Sequence, residues 1–175
     1  ACFMLTNGDV SMIFDPFLTG NTWDKAKKED IKCQYIFVSH GHDDHYGDTD
    51  FIAKANDALV ISTAEVAGKA AAAGCRTHAM HLGGKFDFEF GSVRIVPAFH
   101  GAGIPGGHAA GCIVDFYGDI VYFAGDTALF SDMKLLNRFG EIDYALLPIG
   151  DNYTMGVEDA ALAASYVKAR ISIPI

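Results

Sequence analysis

Three histidines and two carboxylates fall within six positions, His40-Gly41-His42-Asp43-Asp44-His45, one residue after the apolar run Tyr35-Ile36-Phe37-Val38. Imidazoles crowded at a strand end gain nothing from one another, so something is expected to bind there. Neutral imidazole and carboxylate are suitable ligands for a divalent transition metal. Residues two apart in a strand point to the same side. His40 and His42 can therefore aim at one ion. Asp44 and His45 follow where the chain must turn, and they can reach a different point. One short segment can thus supply two adjacent metals. The plain alternative is a solvated polar loop with chance histidines.

Other strand tips carry similar chemistry. His100 closes the apolar run Val93–Phe99 and precedes a glycine-rich loop, 101–111. Beside His40 and His42 it is the expected third nitrogen ligand. Asp126 follows Gly125 at the end of residues 120–125, where a carboxylate with close backbone approach suits a bridge between two metals. Asp15 sits at the tip of Val10–Phe14, before Pro16, and on its own residues is equally a turn cap. His108 can touch substrate, donate a proton, or merely hydrogen-bond its loop. His78 and His81 read as surface histidines of a strand.

The pattern His40-x-His42-x-Asp44-His45 after an apolar strand resembles the signature of the metallo-β-lactamase superfamily. Ile13-Phe14-Asp15-Pro16-Phe17-Leu18-Thr19-Gly20-Asn21, Gly106-Gly107-His108-Ala109-Ala110-Gly111, Phe123-Ala124-Gly125-Asp126-Thr127 and Thr154-Met155-Gly156 are similar to one branch of it. That branch comprises bacterial and archaeal metal-dependent hydrolases related to the ascorbate-6-phosphate lactonases. The resemblance implies His40, His42 and His100 on a first metal, Asp44 and His45 on a second, and Asp126 bridging. It also implies that Asp15 hydrogen-bonds a ligating histidine, an acceptor such ligands commonly need.

The resemblance further implies a two-metal hydrolytic site, in which hydroxide formed near neutral pH attacks a carbonyl or phosphoryl centre. Asp44 and His108 are the candidates for proton transfer. The expected substrate is a small ester, lactone or phosphoester, anionic ones included. Ligands without thiolate suit zinc first, with manganese or iron as alternatives. The loop holding Asn152, Tyr153, Thr154 and Met155 is expected to line the site. Two other functions keep the same motifs: a catalytically silent metal-binding or regulatory module, and a mononuclear-iron oxidoreductase.

The family places a last histidine, a ligand of the second metal, after a strand like Ile173-Pro174-Ile175, and a further strand before Ala1. The expectation is a chain shortened at both ends, with a weak second metal site.

Composition sets outer bounds. Residues 1–175 read as one soluble α/β domain, half apolar and a fifth charged. The net charge of −9, with thirteen scattered basic residues, argues against a nucleic-acid partner. No run is long and apolar enough for a membrane span. Cys2, Cys33, Cys75 and Cys112 stand singly, without zinc or redox spacing, as expected of free thiols in the cytoplasm. The oligomeric state is open.

The elements that must position these residues are mostly legible. Asn7-Gly8 between two apolar runs predicts a hairpin. Residues 16–33 read as loop plus a short helix, 48–56 as weakly helical, and Leu59-Val60-Ile61 as a buried strand. Ser62-Thr63-Ala64-Glu65 matches a capping box opening an alanine-rich helix to about Ala73. Strands are expected over 77–82, 86–90, 93–99, 110–117, 120–125, 144–149 and 171–175. Helices are expected over 131–138, capped by Ser131, and over 157–170, with Lys168 and Arg170 in its last turn. Strands alternating with helices give mixed α/β. The resemblance narrows this to a four-layer αββα sandwich with the metals at one edge.

Overall fold

The computed structural model describes residues 2–22 and 25–175. Expectations touching residues 1, 23 and 24 lie outside the described residues. The structure divides into two compact units. The first is the chain up to His81 together with Ala102–His108, and the second is Leu82–Gly101 with Ala109–Ile175.

The first unit is built on a five-stranded sheet in the order β1-β2-β3-β4-β5. Its strands are β1 (Phe3–Asn7), β2 (Val10–Phe14), β3 (Tyr35–Phe37), β4 (Leu59–Thr63) and β5 (Arg76–Met80). β1 and β2 form the predicted hairpin, with Asn7 opposite Val10 and Gly8 at φ 60°. The remaining neighbours are parallel. Parallel pairs need crossovers, and α1 (Asp43–Tyr46), α2 (Thr49–Asn56) and α3 (Ala64–Ala72) lie within them. Ile13, Ile36 and Val60 cluster with Ile52 and with Val66 and Ala70 of α3. The alternate residues Met12, Phe14, Phe37 and Ile61 are also fully buried. Strands buried on both faces lose the apolar–polar alternation and read as continuous apolar runs.

The capping box is not formed. Thr63 is the N-cap of α3 and makes no side-chain cap bond. The Ser62 hydroxyl instead donates to the Val38 carbonyl at 2.6 Å, tying β4 to the end of β3. Glu65 Oε2 is left buried with no hydrogen-bond partner among the described residues. The short helix expected before residue 33 is a single 3₁₀ turn, Lys28–Asp30.

The second unit holds a six-stranded sheet in the order β11-β10-β9-β8-β7-β6. The strands are β6 (Lys85–Phe88), β7 (Gly91–Pro97), β8 (Ala110–Phe116), β9 (Asp119–Phe123), β10 (Tyr144–Leu147) and β11 (Ile171–Pro174). β6 to β9 are antiparallel neighbours, while β9, β10 and β11 are parallel. Tyr117 (φ 55°) and Gly118 (φ 98°) make the tight turn between β8 and β9. Tyr122, Ala145 and Leu147 pack with Met133 and Leu136 and with Ala160, Ala163 and Val167 of α4 (Val157–Val167).

Two helix expectations change here. Ser131–Phe139 is a 3₁₀ segment whose N-cap is Phe130, and the Ser131 hydroxyl turns to Asp132. α4 ends at Val167, because Lys168 adopts the left-handed conformation at φ 53°. Lys168 and Arg170 therefore lie beyond the helix, and Arg170 bonds Asp143 at 2.9 Å.

Every loop carrying an expected ligand leaves the C-terminal end of a strand. β2 and β3 are parallel, so Asp15 and the Ser39–His45 segment emerge at one edge of the first sheet. β7, β9 and β10 run in one direction, so His100, Asp126 and residues 150–156 emerge at one edge of the second. No helix among the described residues is long and apolar enough to cross a membrane.

Candidate metal centre

β3 ends at Phe37, so His40 and His42 are not strand residues as the spacing suggested. Val38 continues the direction by donating to the Ile61 carbonyl at 3.2 Å. His42, extended at φ −65° and ψ 148°, is the N-cap of the four-residue helix α1. The extended stretch still brings the two rings together. His40 Nε2 lies 2.9 Å from His42 Nδ1. Two ligands at about 2.0–2.1 Å from one tetrahedral zinc stand roughly 3.3 Å apart, so this spacing fits joint ligation after a small adjustment.

Asp44 and His45 fall in the single turn of α1. The Asp44 side chain is 66% exposed, and its Oδ2 lies 3.8 Å from His45 Nε2. His45 is buried, and its Nδ1 lies 2.6 Å from Asp15 Oδ2. Asp15 is itself fully buried and takes a left-handed conformation at φ 43°. Ser39 completes the network. Its amide donates to Asp15 Oδ1 at 2.7 Å and its hydroxyl to Asp15 Oδ2 at 2.6 Å. The same hydroxyl oxygen lies 2.8 Å from His40 Nδ1.

Proton counting then sets both rings. An ionised carboxylate only accepts, so His45 carries its proton on Nδ1. The Ser39 hydroxyl points its hydrogen at Asp15 Oδ2, so its oxygen is placed to accept from His40 Nδ1–H. Each ring is left with an Nε2 lone pair for a metal. Asp15, His40 and His45 form a buried group whose ligand-type atoms lie within 4.8 Å of one another.

The segment 102–108 closes against His42. Gly41 N–H donates to the Ala102 carbonyl at 2.8 Å. A Cβ on Gly103 (φ +65°) would stand 2.3 Å from the His42 nitrogen, so only glycine fits. His108 is exposed, and its ring centroid lies 5.4 Å from that of His81, also exposed. His78 is half-buried on β5. Behind His45, the Tyr46 hydroxyl donates to Asp50 at 2.5 Å; burial, with the bond and charge of Asp50, pushes the phenol pKa far up.

In the second unit, His100 Nε2 lies 3.6 Å from Asp126 Oδ2. Buried Thr127 fixes this pair from behind. Its hydroxyl accepts from Phe99 N–H at 3.0 Å and donates to the Ala128 carbonyl at 2.8 Å. Its carbonyl accepts from Met155 N–H at 3.0 Å. Of the loop expected to meet substrate, Asn152 is exposed, Thr154 is half-buried and Tyr153 is 80% exposed. Met155 is buried among the core residues, so it anchors the loop.

Ser39 and Thr127 were assigned no role from the sequence. Their partners lie up to 28 residues away, and serine or threonine beside a ligand is too common to flag.

Comparison with known proteins defines the class. The family described as "Beta-lactamase superfamily domain" matches residues 12–175, and the chain belongs to it. Within it, the chain is 52% identical over 174 residues to a protein of Natranaerobius thermophilus named "UPF0173 metal-dependent hydrolase", covering 99% of this chain and 78% of the relative. It thus belongs to the branch of relatives that carry this name. Igni18, a metallo hydrolase from Ignicoccus hospitalis, superposes with a TM-score of 0.91 at 28% identity, over 99% of this chain and 77% of that one. The metallo-β-lactamase fold protein YhfI of Bacillus subtilis shares the fold, with a TM-score of 0.75 at 11% identity over 99% and 77% of the two chains. The two-sheet α/β architecture is the metallo-β-lactamase fold.

Proposed function

We propose that the protein is a metal-dependent hydrolase in which His40, His42 and His100 hold one metal, Asp44 and His45 hold a second, and Asp126 bridges them. The observation that carries the reading is the Asp15–Ser39 network, which engages Nδ1 of both His40 and His45 and leaves their Nε2 atoms outside it at one edge of the first sheet. Buried histidines aligned by a buried carboxylate suit metal ligation better than packing. The names of the relatives support the same class.

A divalent metal there, zinc first by ligand type, supplies Lewis acidity and a water activated near neutral pH. The chain's own residues do the rest. Asp15 and Ser39 hold the imidazoles in one tautomer. Exposed Asp44 offers a carboxylate oxygen to accept a proton from the attacking water. His108, exposed in the loop beside His42, can donate one to the leaving group. The substrate is a small ester, lactone or phosphoester, and the exposed loop residues Asn152 and Tyr153 are our candidates for contacting it.

The test is elemental analysis of the purified protein, followed by hydrolysis assays on esters, lactones and phosphodiesters. Turnover abolished by chelator and restored by zinc or manganese supports the reading. Bound metal without turnover across the panel would leave a metal-binding module. Absence of metal after reconstitution would overturn the site.

A further inference from the structure

We infer that Asp48 is a positioning residue for this centre, gripping the chain that leaves Asp15 and so keeping the Asp15 carboxylate on His45. The inference rests on the reading of Asp15 given above.

Asp15 needs such a grip. A left-handed conformation costs a non-glycine residue about 1–2 kcal/mol, so it persists only where its surroundings enforce it. On the strand side the turn is held by Asp15 N–H to the Phe37 carbonyl at 2.9 Å. Across the turn, Phe17 N–H donates to the Asp15 carbonyl at 2.7 Å. Beyond it, residues 16–19 belong to no strand or helix.

One residue satisfies nearly all of that segment. Asp48 Oδ2 accepts from Leu18 N–H at 3.1 Å and Thr19 N–H at 2.7 Å. Its Oδ1 accepts from the Thr19 hydroxyl at 2.7 Å and lies 3.2 Å from Lys28 Nζ. Its own amide donates to the Pro16 carbonyl at 2.8 Å. The two backbones touch directly, because a Cβ on Gly47 (φ +40°) would stand 2.6 Å from the Pro16 carbonyl oxygen. Asp48 is 8% exposed. Burial alone would push its carboxyl pKa up, but the bonds from Thr19, Lys28 and Leu18 outweigh this and hold it below the usual range. The residue is therefore a buried anion with donors on both oxygens. An asparagine would turn an NH₂ toward some of those donors. Asp48 lies two residues beyond α1, the helix that carries His45, so its bonds to Leu18 and Thr19 tie the end of that helix to the loop behind Asp15.

The experiment is Asp48→Asn, read two ways. In metal-free protein labelled with ¹⁵N-histidine, the low-field Nδ1 proton of His45 reports the Asp15 bond directly. It should vanish or move upfield in D48N. Zinc affinity by chelator competition should fall about 10–100-fold, and D48N should add little further loss in a D15A background. A D48N protein of lower melting temperature with the wild-type resonance and wild-type zinc affinity would overturn the inference. So would losses that add fully in the double variant. If D48N does not fold, Thr19→Val removes a single donor; a folded T19V with an unmoved resonance also overturns it. Wild-type protein that shows the resonance but binds no zinc would instead refute the metal reading.

Discussion

Asp15 Oδ2 lies 2.6 Å from Nδ1 of His45, across 30 residues of sequence. One buried oxygen thereby fixes the tautomer of a ring whose other nitrogen faces Asp44. Asp15→Ala should reduce zinc affinity about 10–100-fold. It also removes the acceptor of the buried Ser39 amide, at about 1–3 kcal/mol. Chelator competition and denaturant melts measure the two effects separately. A zinc affinity matching the wild type would remove Asp15 from the site.

Ser39→Ala should act on His40 more than on His45. The hydroxyl stands 2.8 Å from His40 Nδ1 but 3.5 Å from His45 Nδ1. Histidine NMR of the metal-free variant should show His40 losing its single tautomer while His45 keeps its own. Equal disturbance of both rings would contradict the relay.

Gly103→Ala should be disruptive out of proportion to one methyl group. The added Cβ would meet the His42 backbone nitrogen at 2.3 Å, in a left-handed conformation that costs about 1–2 kcal/mol more. Faster proteolytic cleavage within 102–108 and weaker zinc binding are expected together. Gly118→Ala, whose Cβ would meet nothing within 4 Å, should show only the backbone cost.

Tyr122→Phe should be neutral or stabilising by up to about 1–3 kcal/mol, because the phenol oxygen is buried with no hydrogen-bond partner among the described residues. A clear loss of stability in urea melts would mean that the oxygen is satisfied in solution.

Asp48 predicts an acid limb in stability. Its pKa is depressed in the folded state, so its contribution is present above the unfolded value of about 3.9 and is lost as pH falls through the folded value. The melting-temperature gap between wild type and D48N should be steady above about pH 5 and close at lower pH. A gap unchanged down to pH 2 (roughly two units below that unfolded value) would show that the charge is not what matters.

Much of this was readable from residues alone, where the signal is local. Asn7-Gly8 announced its hairpin, and the spacing of His40, His42 and His45 announced that their rings gather at one point. Chemistry that depends on distant partners was hidden. Asp48 gives no hint that it holds Leu18 and Thr19, some 30 residues earlier. Ser62 and Glu65 have capping-box spacing, yet α3 takes Thr63 as its N-cap, one residue later, and the Ser62 hydroxyl donates to the Val38 carbonyl instead. Lys168 and Arg170 suited a helix C-terminus by charge, but the chain turned left-handed at Lys168 first. His40 and His42 fitted strand alternation and converge outside any strand.

The two hairpin turns suggest a practical use. Asn7-Gly8 and Tyr117-Gly118 sit at the strand ends opposite those that carry the ligands, about 17 Å of strand away in the case of β2. Space beside both glycines is open. Fluorophores or surface tethers attached there should report on the molecule without touching its chemistry, making them the natural attachment points for following metal uptake in real time.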